Sequence, residues 1–207
     1  GQQGLDARTF YPKLRPMVHT LTCNAFGEQT YVVEHGDGGL TVVDPGMASG
    51  EERKAFQDLC DRLDAKPVQV LLTHAHLDHV MGCAWMKDTY GLVPRLHLAD
   101  RETYEQAPRV AEVYGVRMDP VPEAALDLSH GDTVACGQVE LEVRFVPGHA
   151  PGHVAFVCHR GGWILGGDVL FRGSVGRTDL PGCDAGALAQ SIEAQIFTLP
   201  ESMVVWP

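Results

Sequence analysis

The sequence predicts a mixed α/β fold, on three observations. Short apolar runs of strand type recur along the chain, amphipathic helical segments separate them, and several strands end in loops rich in His, Asp, Gly and Pro. Blocks of both kinds exclude all-α and all-β architectures. Periodicity alone leaves the topology open.

The elements follow in order. Tyr31–Glu34 and Leu40–Val43 are β-rich and flank His35-Gly36-Asp37-Gly38-Gly39, whose Gly and Asp residues suit a hairpin loop. The second strand ends in the turn Asp44-Pro45-Gly46. Ser49 with Glu52 three residues on predicts a capping box, and Ala55, Phe56, Leu59, Cys60 and Leu63 then recur at helical spacing. Val68–Leu72 is a buried-strand run that leads straight into Thr73-His74. Helices are expected over about 78–90 and 100–116. Val139, Leu141, Val143 and Phe145 alternate with polar residues, as in a half-buried strand that ends at Pro147-Gly148-His149. Val154–Cys158 and Trp163–Leu165 are further strands, the latter running into Gly167-Asp168. Asp184 is placed to cap a helix carrying Leu188, Ile192 and Ile196, and Met203–Trp206 is a last short strand.

The 207 residues suit one domain, 1–207, and no Pro/Gly/Ser linker divides them. The opening Gly1-Gln2-Gln3-Gly4 reads as a cloning remnant and is set aside. No apolar stretch approaches the ~20 residues of a membrane span, and no secretory signal opens the chain. A net charge of −11 repels phosphate backbones, which argues against nucleic acid as a partner. The six cysteines form no CxxC pair and no regular spacing, so reduced thiols in a cytoplasmic protein are expected. No motif specifies an oligomeric state.

The chemistry concentrates in His74-Ala75-His76-Leu77-Asp78-His79. Imidazole and carboxylate suit a borderline or hard divalent metal. His74 and His76 alternate around one residue, which puts both side chains on the same side of an extended loop. His149 sits in a Pro- and Gly-rich loop able to aim an imidazole, and Gly166-Gly167 lets the backbone approach closely ahead of Asp168.

These residues resemble the metallo-β-lactamase superfamily. His74 to His79 matches its HxHxDH signature, Asp44 its first motif, and His149 and Asp168 its third and fourth. The likeness runs from about residue 21 to the end of the sequence. It implies a four-layer αββα sandwich with the site at one edge of the two sheets. The chain is most similar to single-domain glyoxalase II-like (hydroxyacylglutathione hydrolase-like) enzymes, through Cys23 to Tyr31, Gly167 to Phe171 and Gly176 to Asp179.

That resemblance implies two divalent metals, zinc first, with iron or manganese as alternatives. His74, His76 and His149 would hold one, Asp78 and His79 the other, and Asp168 would bridge them. Asp78 would also orient or deprotonate the nucleophile. Asp44 and His153 would support the ligands from behind. The expected substrate is a small thioester, S-lactoylglutathione or a relative, cleaved by metal-activated water. Arg177 would meet the glutathione carboxylate, or else pair internally with Asp179. The family has one more ligand histidine after its final strand, where this sequence stops at Val204-Val205-Trp206-Pro207, so a continuation of the chain is expected.

The stretches Gly176 to Cys183 and Ile196 to Pro200 are also similar to mononuclear-iron persulfide dioxygenases of the same superfamily, which gives the alternative function. Asp78 together with Asp168 argues against a periplasmic β-lactam hydrolase. Cys183 is expected to be a loop cysteine, and Trp85 and Met81 core residues.

Overall fold

The computed structural model describes residues 17–207; the Gly1–Gly4 segment lies outside them. Period-two alternation decides which way each strand faces. In β2 (Glu28–Glu34), Val32 faces one layer while Tyr31 and Val33 face another. β3 (Gly39–Val43) and β4 (Lys66–Leu71) repeat the pattern, with Val42 and Val70 on one side and Val43 and Leu71 on the other. With β1 (Val18–Cys23), β5 (Pro94–His97) and β6 (Ala125–Leu128), these strands form a six-stranded sheet in the order β1-β2-β3-β4-β5-β6. It is antiparallel from β1 to β3 and parallel from β3 to β6.

The second sheet is built from β7 (Thr133–Cys136), β8 (Val139–Phe145), β9 (Val154–Cys158) and β10 (Trp163–Leu165). A short hairpin, β11 (Leu170–Phe171) and β12 (Ser174–Val175), follows, and β13 (Val204–Trp206) then completes the sheet in the order β13-β10-β9-β8-β7. The core between the sheets joins Tyr31, Val33, Val43 and Leu71 to Leu141, Val143, Phe156 and Leu165.

Helices cover both outer faces. Phe56 and Leu59 of α1 (Gly50–Leu63) pack with Met86 on Val32, Val42 and Val70. The segment expected as one helix over 78–90 divides into α2 (Leu77–Val80) and α3 (Cys83–Tyr90). The break has a local cause. Gly82 N–H donates to the Pro45 carbonyl at 2.7 Å, and a Cβ on Gly82 would stand 2.7 Å from that oxygen. α4 (Arg101–Val113) lies beside α2 through Tyr104, Ala107 and Ala111; it ends before Val116, where Gly115 turns the chain with φ +68°. On the far side, α5 (Ala185–Ser191) and the π turn Ile192–Ile196 place Leu188, Ile192 and Ile196 against Ala155, Val157 and Ile164. The result is the αββα sandwich that the resemblance implies.

Both expected caps are present. Ser49 Oγ accepts from Glu52 N at 3.1 Å while Glu52 Oε2 accepts from Ser49 N at 2.9 Å. Asp184 Oδ1 accepts from Ala187 N at 2.9 Å. Met81 is a buried core residue, and Trp85 is half-buried, packing edge-on to Phe56 against the core. No helix among the described residues is long and apolar enough to cross a membrane.

Candidate metal centre

The site sits where strand ends of the two sheets meet. β4 delivers His74, the 3.6-residue winding of α2 presents Asp78 and His79, β8 leads to His149, and β10 leads to Asp168. His74, His76, His79, His149 and Asp168 therefore converge from residues up to 94 positions apart.

The imidazole tautomers follow from fixed partners. Asp44, buried and at φ +52°, accepts from Thr73 N at 2.7 Å and from Thr73 Oγ1 at 2.5 Å. The Thr73 hydroxyl proton is thereby committed, so at 3.0 Å the same oxygen accepts from His74 Nδ1–H. His74 Nε2 is left as a buried lone pair with no partner. His79 Nδ1–H donates to Asp44 Oδ2 at 3.1 Å, which turns its Nε2 toward Asp78 Oδ2 at 3.6 Å and Asp168 Oδ1 at 3.5 Å. His149 Nδ1–H donates to the Arg177 carbonyl at 2.9 Å, and its Nε2 meets His76 Nδ1 at 2.8 Å and Asp168 Oδ2 at 3.5 Å. The two Asp168 oxygens thus reach two separate histidine groups.

This donor set fits divalent metal. His74, His76 and His149 form one group whose ligand atoms all lie within 4.8 Å of one another. Asp44, His74 and His79 form a second group on the same criterion. Donors from Thr73 and His79 already occupy both Asp44 oxygens, which suits it to hold its neighbours in place rather than to bind an ion. His153 is fully buried, stacks on His74 at 4.6 Å and 18°, and has both ring nitrogens unpartnered.

The electrostatics follow from burial and from the mix of imidazoles and carboxylates. Burial, with neighbouring histidines, drives His74 well below the ordinary imidazole value, and His76 down to about 3. Burial also opposes charge on His79, yet Asp168 and Asp44 outweigh it and hold that imidazole well above its usual range. Asp168 is held below the usual carboxylate range: its burial acts the other way, and contact with His79 overcomes it.

Sequence reasoning missed the most buried carboxylate near the site. Asp100, fully buried at the start of α4, accepts from Ala75 N and from Gly152 N, each at 2.7 Å. Ala75 lies between His74 and His76; Gly152 precedes His153. One side chain thus ties together the loops of both histidine motifs. Its sequence signal is only that of an acidic residue at a helix start. Asn24 does similar work, donating through Nδ2 to the carbonyls of Gly46 and Asp78 at 3.0 Å each.

A cavity of about 560 Å³ opens over the site, with His76, Asp78, His149 and Asp168 among its lining residues. Arg177 also lines it, and its guanidinium donates to both Asp179 oxygens at 2.7 and 2.9 Å. All six cysteines are free; Cys183 is a loop residue whose thiol donates to the His149 carbonyl at 2.8 Å.

The family model of the metallo-beta-lactamase superfamily matches residues 24–206. The chain belongs to the metallo-beta-lactamase superfamily. Its superfamily relatives include hydroxyacylglutathione hydrolase GloC of Haemophilus influenzae, 28% identical over 91% of this chain and 88% of the relative. Probable metallo-hydrolase YqgX of Bacillus subtilis is 32% identical over 82% of this chain and 79% of its own length. Among solved superfamily structures, TTHA1623 in a di-iron-bound form is 36% identical, with a TM-score of 0.82, covering 91% of this chain and 90% of that one. ETHE1 from Myxococcus xanthus, at 22% identity and TM-score 0.73 over 92% of this chain and 74% of that one, shares the fold.

Proposed function

We propose that this protein is a metal-dependent hydrolase that cleaves thioesters to a carboxylic acid and a thiol. One observation carries the reading: Asp168 places one oxygen 3.5 Å from His79 and the other 3.5 Å from His149, on the floor of an open cavity. That arrangement supports a pair of divalent ions. His74, His76 and His149 would hold one, Asp78 and His79 the other, with Asp168 placed to serve both. Zinc is the first candidate; iron and manganese are the alternatives, and the di-iron form of TTHA1623 keeps iron in view.

When bound, such ions polarise the substrate carbonyl and lower the pKa of water toward ~7. The chain's own residues do the rest. Asp78 lines the cavity beside His79 and is partly open to solvent, so it can orient the attacking water and accept its proton. The Asp44–Thr73–His74 and Asp44–His79 hydrogen bonds fix two imidazoles without rearrangement. Water adds to the thioester carbon, the carbon–sulfur bond breaks, and the leaving thiolate takes up a proton.

The relationship to GloC makes S-lactoylglutathione a natural first substrate to assay, beside simple acyl thioesters. The reading expects metal-dependent release of free thiol, abolished in Asp168→Ala and in His76→Ala. Full turnover by His76→Ala of checked metal content would overturn the ligand assignment. Oxygen uptake on a persulfide, with no thioester turnover, would overturn the hydrolase reading in favour of a dioxygenase.

A further inference from the structure

The cavity over the metal centre carries a second message, about the arm of the substrate that does not react. One wall is a stripe along α4 and just past its end, Glu102, Gln106, Val110 and Tyr114, spaced four residues apart so that they share a face. Phe26, from the turn after β1, meets Tyr114 edge-on at 5.9 Å across the cavity rim. Leu180 and Pro181 line the cavity as well. Phe26, Val110 and Tyr114 are 44%, 39% and 51% exposed, so this apolar group stands open to solvent beside the reacting centre. Small-molecule sites are concave, mostly apolar surfaces with a few fixed polar groups, and this cavity has that make-up.

Its charges point the same way. Among the described residues, Arg177 is the only arginine or lysine lining the cavity, and Asp179 occupies its guanidinium fork bidentately. Glu102 adds a carboxylate to the wall, and the whole chain carries −11. A glutathione arm carries two carboxylates against one ammonium, and its net negative charge would meet acidic groups here and an arginine already paired with Asp179.

We propose that the cavity is built for a thioester whose thiol arm is uncharged and apolar, aliphatic or aromatic, held between the Phe26–Tyr114 pair and Val110. The proposal rests on the hydrolase reading above. It assigns Phe26, Val110 and Tyr114 to substrate selection, and makes Asp179 the residue that withholds Arg177 from anionic substrates.

The test compares kcat/KM of the metal-loaded protein for three lactoyl thioesters that differ only in the thiol: S-lactoylglutathione, the thioester of N-acetylcysteamine and the thioester of 2-phenylethanethiol. Calorimetric binding of the matching inert phenylethyl thioether accompanies it. The phenylethyl substrate should be favoured by at least about tenfold over both others, the range that apolar contacts deliver. Tyr114→Ser and Val110→Ser should each erode that ratio mainly through KM and weaken the thioether in step. Asp179→Asn should raise kcat/KM for S-lactoylglutathione several-fold by releasing Arg177. Equal or better turnover of S-lactoylglutathione, with no change in Asp179→Asn and no thioether binding, overturns the proposal while leaving the hydrolase intact. Absence of turnover on every thioester overturns the hydrolase reading and the substrate class with it.

Discussion

Replacing Asp100 with alanine should loosen the metal centre from a distance. The carboxylate holds two buried N–H groups at 2.7 Å, one from each histidine-bearing loop. A buried donor left without its partner costs about 1–3 kcal/mol, so two give about 2–6 kcal/mol. Burial of the charge, which pushes Asp100 up to about 6, offsets part of that loss. A net of about 2–3 kcal/mol is therefore expected, or a fall in Tm of about 4–12 °C for a domain of this size. Metal affinity should fall about 10- to 100-fold, as for other residues that orient ligands without touching the ion. Asp100→Asn keeps one acceptor oxygen but turns an amide N–H₂ toward the other donor, so it should lie between wild type and Asp100→Ala. Thermal denaturation of the metal-free protein and competition against a chromophoric chelator give the two readouts. An Asp100→Ala protein with wild-type Tm and wild-type metal affinity would refute the reasoning.

Three further outcomes follow from the same structure. Gly82→Ala forces a Cβ to 2.7 Å from the Pro45 carbonyl at the break between α2 and α3; chemical denaturation should register a loss of about 1–3 kcal/mol. Glu28 is buried among acidic neighbours, and burial raises its carboxyl well above the usual range. The folded state therefore keeps this proton where the unfolded chain, with a pKa of about 4.3, gives it up, and stability falls as pH rises above that value. Glu28→Gln should thus gain in Tm relative to wild type at pH 8 and gain little at pH 4; a loss at pH 8 would reverse the sign of the argument. Asp44→Asn replaces one acceptor of the Thr73 and His79 donors with an amide; a metal titration should show affinity falling about 10- to 100-fold.

Much of this was legible in the sequence because strong local signals coincided with the tertiary structure. The capping box at Ser49, the alternation in Val139–Phe145 and the strand-to-ligand junctions at His74, His149 and Asp168 all lie where the pattern puts them. What escaped notice was short or decided elsewhere. β1 is half exposed and β5 and β6 are four residues each, too brief for periodicity to separate them from loops. The break at Gly82 depends on a carbonyl 37 positions earlier, which no local window contains. Asp100 looks like a helix cap until the fold brings Ala75 and Gly152 to it. Arg177 had two readings, a substrate carboxylate or Asp179, and only the folded loop shows the guanidinium engaged with Asp179. The αββα topology came from resemblance, since alternation in a strand says which face is buried but not which strand lies next to it.

Metal content per chain of the purified protein, by elemental analysis without added metal and alongside thioester turnover, tests the central claim most directly. The account predicts about two equivalents, as zinc or as zinc mixed with iron or manganese, and turnover that chelation abolishes and metal restores. A single equivalent of iron, with oxygen consumed on a persulfide and no thioester cleaved, would contradict it.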